Sequence, residues 1–316
     1  MKVLRELPKR NCNKPCALTI GNFDGFHIGH DALIKRLCEI GNHKKIQKTL
    51  LTFEPHPKEF FAKKYDNLNL APLRISTFRD KLKFLVSTEI DIIIIKKFNS
   101  DFANLSAENF IKKILIEKFQ IKFLIIGDDF RFGFKREGNF QTLVNAGKKL
   151  GFEVESIPTV SINGKRISSS EIRSLLKNNK FEEAKKFLGY PYSISGHVLH
   201  GKKIGQKIGF PTLNIKISHS RPIISGIFVV LIHGLSDFPL NGVASLGVRP
   251  TIEDDNQVLL ETHVFNFTDQ CYGKLVSVEI LKKIRDEKKY NGLEELTKAI
   301  KNDTLTAKDF FISFNN

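Results

Sequence analysis

The chain has 316 residues, 41% of them hydrophobic and 21 of them glycine. That length suits about two domains, and the composition is near the globular average, which excludes a disordered or fibrous chain. The formal charge of +16 admits either a nucleic-acid binder or a lysine-rich surface that handles anionic small molecules.

The basic residues occur as scattered pairs such as Lys44-Lys45, Lys63-Lys64, Lys96-Lys97, Lys185-Lys186 and Lys202-Lys203, without interleaved aromatics. The small-molecule reading is therefore preferred, and no nucleic-acid partner is expected. Apolar runs such as 92–95 and 227–232 fall far short of the ~18 residues of a membrane span. The charged start, Met1-Lys2-Val3-Leu4-Arg5-Glu6, lacks the apolar stretch of a signal peptide. A cytoplasmic protein without membrane association is expected. Cys12, Cys16, Cys38 and Cys271 form no CxxC pair, so reduced thiols are expected. A zinc site from Cys12, Cys16, Cys38 and His43 has poor ligand spacing.

Residues 1–188 alternate in the manner of parallel α/β domains. The pattern predicts strands over 17–20, 47–53, 91–95, 123–126 and 153–157, and helices over 28–40, 77–86, 107–119 and 141–150. The short Ile-rich strands read as buried on both faces. Two further helices are expected over 169–176 and 181–188, ended by Gly189-Tyr190-Pro191. From 189 to 316 the character changes. Short strands are expected over 193–199, 226–232, 242–246, 259–265 and 275–281, with a closing helix over 293–301. Gly and Pro punctuate them, as in a small antiparallel barrel or sheet. The domain boundary is expected near 188.

The stretch TIGNFDGFHIGHDAL, residues 19–33, reads as strand, tight turn and helix. His27 and His30, three apart, share one face of the first helical turn. In open α/β sheets, ligands bind beyond the carboxyl ends of strands. Gly21 and Gly25 let backbone approach a ligand, and a helix N-terminus suits phosphate. Histidines there can donate to charge developing on phosphoryl oxygens. A metal site would need a third ligand, and none stands at a suitable spacing. On residue type alone a structural role for both rings stays open.

Other segments also fall at predicted strand ends or helix starts. Thr52-Phe53-Glu54-Pro55-His56-Pro57 follows the second strand, and Gly127-Asp128-Asp129-Phe130-Arg131-Phe132-Gly133 follows a later one. Ile167-Ser168-Ser169-Ser170-Glu171-Ile172-Arg173 sets three hydroxyls at a helix start, where N-capping is sufficient explanation and phosphate binding is compatible with it. In the second half, Gly196-His197-Val198-Leu199-His200-Gly201 leads to Gly205-Gln206-Lys207-Ile208-Gly209-Phe210-Pro211-Thr212-Leu213-Asn214. There is no GxxxxGK[ST], so any phosphate cradle here is not a P-loop. By residue type this is a β-hairpin with a glycine loop. Glu261, in Leu259-Leu260-Glu261-Thr262-His263, reads on its own as an outward carboxylate on an edge strand.

Together these segments resemble a known family. Gly21 to His30 resembles the nucleotidyltransferase signature GxFDGxHxGH, whose enzymes transfer an adenylyl group from ATP. The 52–57, 127–133 and 167–173 segments resemble, in order, those of the FMN adenylyltransferase module of bacterial bifunctional riboflavin kinase/FAD synthetases. The 201–214 segment resembles the riboflavin kinase motif GxxxGxxxGFPTxN, and the segments around Glu261, Arg249, Tyr272-Gly273-Lys274 and Arg285 resemble that module too.

The resemblance implies a Rossmann-like nucleotidyltransferase domain with a parallel sheet, followed by a small antiparallel riboflavin kinase-like barrel with a closing helix. It implies that riboflavin is phosphorylated by ATP to FMN, and that FMN is adenylylated by a second ATP to FAD and pyrophosphate. His27 and His30 would stabilise the adenylyl transition state. Gly21, Phe23, Asp24, Gly25, Ser168, Ser169, Ser170 and Arg173 would hold that ATP, and Gly201, Gly205 and Lys207 the other. Phe53, Pro55, His56, Pro57, Asp129, Phe130, Arg249 and Arg285 would border flavin. Arg285 is equally readable as a surface ion-pair partner. Thr212 and Asn214 would bind Mg²⁺, and Glu261 would accept the proton of the ribityl hydroxyl. Ile204, Gln206, Asn139, Ile252, Tyr290 and Ser170 depart from the residues frequent in that family. Two alternatives stand: adenylylation of another phosphate-bearing acceptor, as in pantetheine-phosphate adenylyltransferases, and RNA binding. Oligomeric state is not legible.

Overall fold

The computed structural model describes residues 1–7, 14–201, 204–217, 221–249 and 257–314. Cys12, Lys202, Lys203, Pro250, Thr251 and Ile252 lie outside these residues, as do the side chains of Ile204, Lys207 and Arg249. The chain divides into two compact units. One is Met1–Pro72 with Lys81–Ser168, and the other is Leu73–Asp80 with Ser169–Asn316.

The first unit contains β1 (Lys2–Leu4), β2 (Cys16–Ile20), α1 (Ile28–Lys44), β3 (Gln47–Phe53) and α2 (Pro57–Lys64). After α3 (Phe78–Val86), which begins in the other unit, come β4 (Ile92–Lys96), the single turn α4 (Ser100–Ala103) and α5 (Ala107–Asn109). β5 (Ile121–Gly127), α6 (Phe140–Leu150), β6 (Glu153–Ile157) and the hairpin β7 (Ser161–Ile162) and β8 (Lys165–Arg166) complete it. The helix expected over 107–119 is only briefly α-helical. From Phe110 to Lys118 it widens to i→i+5 pairing, with the Phe119 N–H donating to Ile114 O at 3.1 Å.

The sheet is parallel throughout, in the order β1-β4-β3-β2-β5-β6. Every residue of β2 is buried, as double-faced helix cover requires. From β2 the chain steps outward to β3 and β4, then returns to lay β5 on the other side of β2. The carboxyl ends of β2 and β5 therefore flank a topological switch point, where open α/β sheets bind ligands. β1 and α2 were not expected. Three residues cannot show a strand alternation, so β1 owes its strand state to its pairing with β4.

The second unit holds α7 (Ser169–Lys177) and α8 (Phe181–Leu188), then β9 (Ser193–Leu199), the turn α9 (Ile204–Lys207) and β10 (Leu213–Ile217). β11 (Gly226–His233), β12 (Leu240–Arg249), β13 (Gln257–Val264), β14 (Leu275–Arg285) and α10 (Leu293–Phe314) follow. The six strands close a barrel in the order β10-β13-β12-β11-β14-β9, all antiparallel. Along β13, Val258, Leu260, Thr262 and Val264 are buried, and Glu261 and His263 alternate with them. The period of two thus turns Glu261 to the outer face.

α10 runs thirteen residues beyond the expected end at Lys301. Asn302, Asp303 and Thr304 are weak helix formers, but packing overrides propensity. Ala307 and Phe311 are buried against Ile227, Val229, Val243 and Phe265. The Arg285 guanidinium forks onto the Asp303 carboxylate at 2.8 and 2.6 Å.

Two candidate active sites

The first site begins where β2 ends. The Gly21 N–H donates to Leu51 O at 3.1 Å, which ties the turn to β3. Phe23 is buried with φ +50, a left-handed conformation that costs a non-glycine residue. A Cβ at Gly21 would lie 3.0 Å from the Phe23 ring, and one at Gly29 3.2 Å from the His27 ring. The glycines of the signature thus leave room for its rings. Gly25 supplies a second positive φ of +60. Asp24 is buried in the same turn.

His27 is the N-cap of α1, and its Nδ1 accepts from the His30 N–H at 3.3 Å. An accepting Nδ1 in a neutral ring puts the proton on Nε2. The two rings stack 3.6 Å apart at 14°, and Phe23 closes on His30 at 5.1 Å. His30 Nδ1 is buried without a hydrogen-bond partner in the protein, which is expected of a group that meets its partner on a ligand. Burial, and then the neighbouring charges of His27 and Lys81, push the His30 imidazole well below its ordinary pKa. The turn therefore offers two imidazoles and the N-terminus of a seventeen-residue helix at the switch point, a setting for phosphoryl oxygens.

The other expected residues of this unit have structural partners. Phe53 is buried, 5.4 and 5.7 Å from the Phe102 and Phe98 rings. His56 caps α2. Its Nδ1 accepts from Lys58 N–H at 3.1 Å, while its own N–H donates to Glu59 Oε2 at 3.0 Å, and Pro57 follows at the first helical position. Pro55 follows Glu54 through a cis peptide. Asp129 is exposed and pairs with Arg166 at 3.2 Å, and Phe130 stacks on Phe132. The division between units falls inside the serine segment. Ser168 ends the first unit, while Ser169, Ser170 and Arg173 belong to the second. There Arg173 Nε donates to Leu73 O at 2.7 Å.

Sequence reasoning missed Lys81, which is buried on α3 with Nζ 3.4 Å from Asn22 O and from Thr52 Oγ1. The available signal was a lysine in line with Phe78 and Leu85, at i, i+3 and i+7 on one helix face.

The second site lies on the outer face of the barrel. Register pairs Asn214 with Glu261, and Glu261 with Ser245, in one row across β10, β13 and β12. The Asn214 amide is buried and turns Nδ2 toward Thr212 O at 3.5 Å, so Oδ1 is the ligand atom it offers. A Cβ at Gly201 would run into that amide, and one at Gly205 would meet Phe210 O and approach Thr212 Oγ1 to 3.4 Å. Both glycines thus keep open the space around Thr212 and Asn214. His263 Nδ1 lies 2.9 Å from Pro211 O, and Phe210 packs edge-on to that ring. These contacts fix the loop that carries Thr212. Ser245 donates to Glu287 Oε1 at 3.2 Å.

A hydroxyl, an amide oxygen and the glycine cradle fit Mg²⁺, which accepts few protein oxygens and completes its shell with phosphate and water. Among the described residues no group of three or more His, Cys, Asp or Glu could hold a metal ion. Arg285 is engaged by Asp303 and by Asp286 O at 2.9 Å, the ion-pair alternative of the two read from sequence.

A family model described as FAD synthetase matches residues 9–171, and one described as riboflavin kinase matches residues 188–311. The bifunctional riboflavin kinase/FMN adenylyltransferase of Escherichia coli (strain K12) is 41% identical over 296 residues, spanning 94% of this chain and 93% of that protein. The protein of the same name from Haemophilus influenzae is 41% identical over 314 residues, spanning 99% and 100%. A solved structure described as a macrolide-efflux protein from Streptococcus pneumoniae superposes with a TM-score of 0.75 at 26% identity, over 95% of this chain and 96% of that one. Among the described residues no helix is long and apolar enough to cross a membrane.

Proposed function

The chain belongs to the bifunctional riboflavin kinase/FMN adenylyltransferase family, and from that premise we propose which of its residues carry each reaction. It phosphorylates riboflavin with ATP to FMN, and it adenylylates FMN with ATP to FAD. We assign the kinase to residues 189–316 and the adenylyltransferase to residues 1–188. We assign the enzyme to the cytoplasm.

In the adenylyl transfer, a phosphate oxygen of FMN attacks the α-phosphorus of ATP and pyrophosphate leaves. No covalent enzyme intermediate is needed, so positioning and charge stabilisation carry the catalysis. The turn from Gly21 to Gly25, with Phe23 and Asp24, brings backbone to the nucleotide. His27 and His30 donate to the phosphoryl oxygens as charge develops on them. Ser168, Ser169, Ser170 and Arg173 hold the triphosphate. Phe53, Pro55, His56, Pro57, Asp129 and Phe130 border the flavin. The observation that carries this reading is the stacked histidine pair at the start of α1, with His30 Nδ1 buried and without a protein partner.

In the kinase, Glu261 accepts the proton of the ribityl 5′-hydroxyl as its oxygen attacks the γ-phosphorus. Thr212 and Asn214 would hold Mg²⁺, which would supply charge neutralisation at the transferred phosphate. Gly201, Gly205 and Lys207 line the nucleotide, and Arg249 borders the flavin.

The test is a time course of purified protein with riboflavin, ATP and Mg²⁺, with the flavins separated chromatographically. FMN should appear first and FAD later. FMN alone would sink the assignment of the first unit. FAD from added FMN, but no FMN from riboflavin, would sink that of the second and point to Ile204 and Gln206.

A further inference from the structure

Lys81 is the most deeply buried charged side chain among the described residues, at 1% exposure, and the chemistry assigned above does not use it. It stands on α3 in line with Phe78 and Leu85, where an apolar residue would complete the buried stripe. Instead an ammonium is brought into the first unit. Its Nζ lies 3.4 Å from Asn22 O, 3.4 Å from Thr52 Oγ1, 3.5 Å from Phe53 O and 3.8 Å from the Glu54 carboxylate. Asn22 follows β2 and Phe53 closes β3, so one cation is shared by the carboxyl ends of two neighbouring strands. A desolvated ammonium is destabilising unless oxygens surround it. A methionine would fill the same stripe without that penalty, so packing does not account for the charge.

We propose that Lys81 is a positioning residue for adenylyl transfer: its ammonium locks the turn after β2 to the end of β3 and sets a fixed positive charge within reach of His30. This rests on the function proposed above. The locked carbonyls orient the Gly21–Gly25 turn, whose backbone receives the nucleotide. Burial does most to keep the His30 ring neutral, and the charges of His27 and then Lys81 add to it. Around His30 stand His27 at the N-cap of α1, Phe23 and Phe26 from the turn, and Lys81 from α3. Of the carboxylates, Asp24 belongs to the same turn, Asp31 follows His30 on α1 and pairs with Lys35, and Glu54 pairs with Lys81.

The experiment compares wild type, Lys81→Met and Lys81→Arg by three readouts. These are FAD formation from FMN against pH, FMN formation from riboflavin, and the NMR titration of the His30 ring. Lys81→Met should lose about 100-fold in kcat for FAD formation, the order expected from an ångström of misplacement, and keep wild-type FMN formation. Its His30 titration, and the acid limb of its FAD profile, should move up toward neutral pH, because a neighbouring positive charge has gone. Lys81→Arg should hold both near their wild-type positions.

FAD formation by Lys81→Met within about threefold of wild type would overturn the role. So would a large loss with an unmoved His30 titration, because that is a packing defect only. If Lys81→Met does not fold, Lys81→Gln takes the same measurements. A wild-type chain that makes no FAD from FMN would overturn the function reading itself, before any variant is compared.

Discussion

Burial holds the His30 imidazole neutral, and that ties the stability of the fold to pH. Its folded pKa is pushed well below 6.5, mainly by desolvation and further by His27 and Lys81. The sign follows from proton counts. As pH falls through about 6.5 the unfolded chain takes up a proton that the folded chain refuses, so stability drops. Above that pH neither state binds the proton and the contribution vanishes. Thermal unfolding between pH 7.5 and 5.5 should show the wild-type Tm falling more steeply than that of His30→Gln. Parallel slopes would mean that His30 titrates normally. The two histidines were legible in sequence because the turn around them is made of residues with few other uses. Lys81 was not, because a lysine on a short amphipathic helix ordinarily faces water, and only its three-dimensional neighbours reveal that this one does not.

At the level of elements, α10 shows packing deciding where a helix stops. Its last turns cover the outer face of β11 and β12 through Ala307 and Phe311, and Asp303 pairs with Arg285. Phe311→Ala removes a ring that is 4% exposed. It should destabilise the barrel by about 3 kcal/mol, as large-to-small changes at buried aromatics do, and urea unfolding should show the midpoint falling. A change below about 1 kcal/mol would mean that the helix end contributes little. β10 was read as part of a glycine-loop hairpin rather than as a strand. Its pairing with β13 and β9 makes it one, and that pairing brings Asn214 opposite Glu261. Neither residue announces itself alone, since an asparagine and a glutamate on separate short strands carry no shared spacing.

For the whole molecule, two units with separate chemistry should be separable by mutation. His30→Gln should lose about 10²–10³ of FAD formation, the range for removing a transition-state donor, and still make FMN. Glu261→Gln should lose about 10²–10⁴ of FMN formation, the range for a general base, and still make FAD from added FMN. Mixed together with riboflavin, ATP and Mg²⁺, the two variants should restore FAD, because each chain supplies the step that the other lacks. A mixture no better than its components would show that FMN does not pass through solution between chains.

The sequence by itself determined the fold class and the glycine-bounded turns, because these depend on local periodicity and on residues such as Gly and Pro whose backbone properties act within a few positions, and its resemblance to a known family supplied the two kinds of chemistry. Tertiary structure alone decided the row Ser245–Glu261–Asn214, the seating of Lys81 under two strand ends, the engagement of Arg285 by Asp303 and the length of α10. Each of these joins residues far apart in the chain. Their energies come from burial and pairing across strands and helices, which a linear pattern does not encode.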